Sequence, residues 1–118
     1  MHRTILVFLA TVLLIGAAMG ALGRDSGADE AALTEEFLND MDHVLLGREL
    51  FQRRCRLCHG RAAYPGKAPP LRPDRLSPED IYLRITYGFG RMPAWEDQFS
   101  DHERMAITAY MKSHLFGN

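Results

Sequence analysis

Cys55, Cys58 and His59 stand together in the pentapeptide Cys55-Arg56-Leu57-Cys58-His59, and their types and spacing suit one kind of chemistry. Two thiols three positions apart at a helix end can each add across a vinyl group of one haem, leaving two thioether bonds. The imidazole that follows then lies where its neutral nitrogen can take an axial position on the iron. C-x-x-C-H is for that reason the attachment signature of c-type haem. The chain has 2 cysteines in all, so no other framework competes for them. A thioredoxin-like pair would want a βαβ pattern around it, and a zinc site would want a second cysteine pair. The sequence has neither. A bridge between the two thiols is the structural alternative, although adjacent bridges of this kind are mostly redox-active. One motif implies one covalent haem c.

A second candidate ligand lies in Gly88-Phe89-Gly90-Arg91-Met92-Pro93-Ala94-Trp95. The Met92 thioether is a soft donor suited to iron, and Met opposite His raises the reduction potential. Methionine is more often core filler, and Met105 and Met111, at helical spacing, read that way. Met92 reads as the ligand, because a core methionine would not need the stiff setting of Gly90 and Pro93. His43 and His114 fall near helix ends and His102 in a first turn, where exposed polar residues are ordinary. Bis-histidine iron, at a lower potential, is the minor alternative.

Helices must position these groups. One is expected from near Asp42 into Cys55, with Leu46, Leu50 and Phe51 on one face and Gly47 beside them. A second opens at Ser77-Pro78-Glu79-Asp80, where Ser caps, Pro suits the first helical position and acids suit the first turn. Ile81 and Ile85 form its apolar face, and Gly88 ends it. A third opens on the capping box Ser100-Asp101-His102-Glu103 and runs through Ala106, Ile107, Tyr110 and Met111 to about Leu115, with Gly117 as a stop signal. Pro65, Pro69, Pro70 and Pro73 keep the stretch from Ala62 to Pro73 from being helical throughout. No stretch alternates like a strand, so the fold class is all-α.

Residues 1–23 have the layout of a signal peptide. Met1-His2-Arg3 is a positive start, Thr4 to Leu22 is uncharged and mostly apolar, and small residues allow cleavage after Ala18, Gly20 or Gly23. Uncut, the run is about long enough to span a bilayer and act as an anchor. Either way the folded part is exported, which points to a periplasmic location. Residues 24–41 read as an acidic linker, and 42–118 as a single domain. A domain of this size buries a modest core, and covalent haem would complete it.

Charge is unevenly spread. Residues 24–47 carry seven acids and one base, residues 48–91 carry ten bases and four acids, and residues 92–118 carry four acids and two bases. The basic block is either a solvated face or a docking surface for an acidic redox partner. Nucleic acid binding does not suit an exported chain close to neutral.

From Asp42 to Leu115 the chain resembles the class I cytochrome c family, on Cys55, Cys58 and His59, on Gly47 and Phe51 of the first helix, and on Ile107 and Tyr110 of the last. The resemblance implies a small fold of three main helices around the haem, with Tyr110 packing across Gly47. Ala68-Pro69-Pro70-Leu71 looks like the family's G-P-x-L segment, with Ala68 in place of Gly. It implies that the Pro69 carbonyl accepts the His59 Nδ1–H, fixing the tautomer and raising ligand basicity. Gly90 to Trp95 resembles the M-P-A-[FW] loop of bacterial members, which places the Met92 sulfur opposite His59 Nε2. The expected function is electron transfer between redox partner proteins, with His59 and Met92 filling both axial positions and no catalysis. The alternatives are a dedicated haem c subunit of a periplasmic dehydrogenase or oxidase, and a sensor or enzyme with an open sixth position.

Overall fold

Thr34 and Asp40 set the first two helices by capping them. The Thr34 hydroxyl accepts from the Phe37 amide at 3.1 Å and starts α1 (Glu35–Asn39). The Asp40 carboxylate accepts from the amides of Asp42 and His43, at 2.8 and 3.2 Å, and starts α2 (Met41–Leu50). The computed structural model describes residues 33–61 and 66–117. The expected signal peptide, most of the expected linker and Ala62 to Pro65 lie outside the described residues. Beyond α2 the helical path continues as a π turn, Phe51–Cys55, and closes with α3 (Arg56–His59). A 3₁₀ turn at Pro73–Arg75 leads to α4 (Pro78–Tyr87), and a loop leads to α5 (Asp101–Lys112).

The caps of α4 and α5 are those the sequence gives. Ser77 Oγ accepts from the Asp80 amide at 3.0 Å. Ser100 and Glu103 exchange side chain for backbone in both directions, closing the capping box. Among the described residues the structure is helical without strands; Phe89 and Met92 form an isolated bridge. The fold class is all-α, as read.

The core is built around α5, whose residues from Arg104 to Met111 are all buried. Val44, Leu50 and Phe51 pack in from one side and Ile81 and Ile85 from another. Met105 and Met111 are buried, the filler role expected of them. Gly47 is the point where α2 crosses α5. A Cβ placed there would sit 1.8 Å from the Ala106 carbonyl oxygen and 2.9 Å from the Ile107 nitrogen. Gly47 therefore meets backbone, and Tyr110 packs one turn further on, edge-to-face against Phe51 with ring centroids 5.6 Å apart.

Two polar side chains fasten loops to this helix. Arg104, buried, donates to the carbonyls of Glu96 at 3.1 Å and Phe99 at 2.8 Å and pairs with Asp101 at 3.0 Å. The Tyr82 hydroxyl, and after it Arg104, hold the Asp101 carboxyl below the usual carboxylate range. That contribution to stability is fully present above the ordinary carboxylate pKa and is lost as acid protonates the group. Lys112 Nζ donates to the carbonyls of Pro73 and Leu76, each at 3.0 Å.

Two boundaries differ from the sequence reading. Helix α1 falls inside the stretch expected to be an acidic linker, and its Leu38 is buried in the core. Glu35 and Glu36 belong to a first helical turn, where acids favour the macrodipole, so their charge marks a helix start. Helix α5 ends at Lys112, short of Leu115, because the Ser113 hydroxyl donates to the Tyr110 carbonyl at 2.7 Å while its own backbone turns extended.

Because the obstacle at the crossing is backbone, it cannot swing aside. Gly47→Ala is expected to destabilise the domain by about 1–3 kcal/mol or more through overpacking. The fall in denaturation midpoint on chemical unfolding, with an unchanged slope, would measure it.

Candidate functional site

The helical path from Met41 to His59 carries Cys55, Cys58 and His59 of the pentapeptide at its end. Cys55 is half-buried against the core cluster, Cys58 is exposed, and both are free thiols. Gly60, at φ 79°, stops the helix immediately after His59, a left-handed conformation that favours glycine. Burial pushes the Cys55 thiol up from its ordinary 9.0 to about 12. Thiols that exchange disulfides are activated by a depressed pKa. Cys55 has the opposite character, which argues against the redox-bridge alternative.

His59 Nδ1 is buried and completes no hydrogen bond of full geometry. The Pro69 carbonyl is the acceptor beside it, close enough to oppose partly the burial that lowers the imidazole pKa. The net shift is downward, so His59 holds the neutral form that a metal requires. Pro69 is brought back to His59 by the chain around it. The Ala68 amide donates to the Cys58 carbonyl at 2.8 Å. A Cβ on Gly66 would lie 2.2 Å from that same carbonyl oxygen and 2.7 Å from the Gly60 nitrogen. The loop can close on the helix end only because Gly66 has no side chain. The sequence reading missed Gly66, whose one local sign is the Pro65-Gly66 turn pair.

Met92 is held by the far end of α4. Phe89 and Met92 exchange backbone hydrogen bonds at 3.1 and 2.9 Å, closing a tight turn through Gly90 at φ 59°. Gly88, at φ 78°, receives the Met92 carbonyl so closely that a Cβ would be 2.5 Å from it. The Trp95 amide donates to the Ile85 carbonyl at 3.0 Å, and the Trp95 ring stacks on Phe99. Met92 itself is half-buried against the core cluster, as are Cys55, Leu71, Leu76 and Trp95. No hydrogen bond joins Met92 to His59; His59 ends α3, and Met92 is fixed by its own loop. His43, read as an ordinary exposed polar residue, is half-buried and stacks on Phe37 with ring centroids 3.8 Å apart.

These residues fit a haem. The free thiol pair ends a helix beside a neutral imidazole whose buried Nδ1 faces a carbonyl, and apolar side chains with a thioether stand half-covered against the core. Among the described residues no three or more His, Cys, Asp or Glu gather as ligands for a bare metal ion. Among the described residues no helix is long and apolar enough to cross a membrane.

The family model for cytochrome c oxidase, cbb3-type, subunit III, a class I cytochrome c-type domain, matches residues 43–111. The match spans more than half of the chain and takes in the pentapeptide and both loops. No curated protein and no solved structure matches the chain.

Proposed function

The chain belongs to the family of cytochrome c oxidase, cbb3-type, subunit III, a class I cytochrome c-type domain, and from that premise we propose an exported electron-transfer protein with one covalent haem. Haem c electron transfer between redox partners is the function of such domains, and they are typically exported. The finer reading is that Cys55 and Cys58 carry the two thioethers, His59 Nε2 and the Met92 sulfur are the axial ligands, and the protein works in the periplasm. The observation that carries it is the buried His59 Nδ1 beside the Pro69 carbonyl, at the end of the helix that bears both thiols.

When bound, the group supplies one-electron chemistry at its iron. The chain's residues do the rest. Pro69 orients the imidazole and raises its basicity. The Gly88–Trp95 loop, tied by backbone at Phe89, Met92 and Trp95, presents a soft thioether from a fixed position. Leu71, Leu76 and Trp95 are half-buried against the core cluster. With His59 and Met92 as the residues that would hold the iron, this reading leaves no place on it for a substrate. The excess of bases over residues 48–91 provides a surface for an acidic partner. The matched family's description favours a second reading, a haem c subunit docked permanently in an oxidase; co-purification of the chain with a larger complex would select it.

Carbon monoxide tests the sixth position. The reduced wild type should bind it poorly, whereas Met92→Ala should bind it readily and have a lower potential. Rapid binding by the unmutated reduced protein at neutral pH would overturn the electron-carrier reading in favour of a sensor or enzyme. Replacing both Cys55 and Cys58 by Ala should leave a chain without stable tertiary structure, because so small a domain relies on the group to complete its core. A cooperative thermal transition in the double variant would contradict that.

A further inference from the structure

Arg48, Gln52 and Arg56 recur at four-residue intervals along the helical path, and Arg61 follows the Gly60 turn back beside them. With Tyr110 of α5 they line a cavity of about 370 Å³. Cys55, Cys58, His59, Pro69 and Met92 are not among its lining residues, although Arg56 stands between the two thiols. Gln52 Nε2 donates to the Arg61 carbonyl at 2.6 Å, which fixes the loop wall against the helix wall.

The charge of this cavity is uncompensated. No carboxylate lines it, and Arg48, Arg56 and Arg61 form no ion pair with any described residue. By contrast, neighbouring Arg53 is paired with Glu49. Tyr110 supplies a second, independent observation. The residue is 1 % exposed, its ring is wedged between Phe51 and Phe116, and its hydroxyl has no hydrogen-bond partner among the described residues. Tyr110 is among the residues that line the cavity. A buried phenol normally finds a partner. Here the free position belongs to whatever fills the cavity.

We propose that this cavity binds a phosphate-type oxyanion carried by a small phosphorylated ligand. Guanidinium groups present rigid donor forks that match phosphate and carboxylate oxygens. Three exposed arginines and a tyrosine lining one cavity offer more donors than one planar carboxylate can satisfy, and suit a tetrahedral or condensed phosphate. A volume in the lower part of the range for small-molecule pockets fits such a group. The bound anion relieves the mutual repulsion of the three cations, so the site is stabilised by occupation. The site stands whatever the axial ligands of the iron are.

Titration calorimetry on the haem-loaded protein in low-salt, phosphate-free buffer tests this, with pyrophosphate, orthophosphate and malonate as separate probes. Pyrophosphate should bind saturably at one site, more tightly than malonate. The double substitution Arg48→Gln with Arg61→Gln should weaken it by about tenfold or more, as expected for lost charge-assisted hydrogen bonds. Tyr110→Phe, which keeps the ring packing, should weaken it by about threefold. Arg72→Gln with Arg75→Gln removes the same charge elsewhere and should leave binding unchanged. Absence of saturable binding would overturn the proposal. An equal loss in the Arg72 and Arg75 pair would overturn it too, since general attraction to the basic surface would then explain the binding. Malonate binding as tightly as pyrophosphate would reassign the cavity to carboxylates and reject the phosphate class. An unchanged visible spectrum in each variant shows that the haem-loaded fold is intact.

Discussion

Gly47 and Ala106 bring two helix backbones into direct contact, and the placement of nearly every other element is referred to that contact. Helix α2 cannot slide or roll on α5 without driving Gly47 into a carbonyl, so the direction in which the helical path leaves the crossing is fixed. The pentapeptide lies further along the same path. Helix α5 carries Arg104 near one end and Lys112 at the other, and through their hydrogen bonds the Glu96–Phe99 stretch and the Pro73–Leu76 turn take their positions. Small residues at a crossing permit this approach, and dispersion over a wide contact then holds it. Both sides of the candidate haem site are thus measured from one helix.

The loops that carry Pro69 and Met92 are fastened by the same device. Each folds back until its backbone touches a helix end, at Gly66 in one and Gly88 in the other, and each is then tied by amide-to-carbonyl bonds from Ala68 and Trp95. Backbone ties leave the side chains free for other work, and they resist displacement better than contacts through long side chains. An electron-transfer site benefits from ligands that keep their positions when the charge at the metal changes, because little then has to rearrange.

The sequence made the chemistry legible wherever it depends on neighbours in the chain. The caps at Ser77 and Ser100, the stop at Gly88 and the core role of Met105 and Met111 are all local statements, and the structure repeats them. Gly47 was legible through family likeness, although its partner proved to be the Ala106 backbone. What stayed hidden depends on distant contacts. Nothing near Gly66 announces that the Cys58 carbonyl will press on it, and nothing near Arg104 or Lys112 shows which loop carbonyls they will reach. Acidic residues at 35 and 36 looked like linker composition, because charge alone does not separate a helix start from an open chain. The π turn also left no mark, since Phe51-Gln52-Arg53-Arg54-Cys55 contains neither Gly nor Pro.

That π turn separates two jobs that one helix would otherwise be forced to share. A wider turn accommodates an added residue, and a residue is worth about 100° of rotation about the axis. Residues up to Leu50 take their facing from the crossing with α5, whereas Cys55 and those after it are re-aimed by the wider turn. The packing face and the thiol-bearing face can therefore be chosen independently, although they lie on one continuous rod. Shortening the turn by a single residue would leave the crossing untouched and swing the whole pentapeptide out of register with both of its loops.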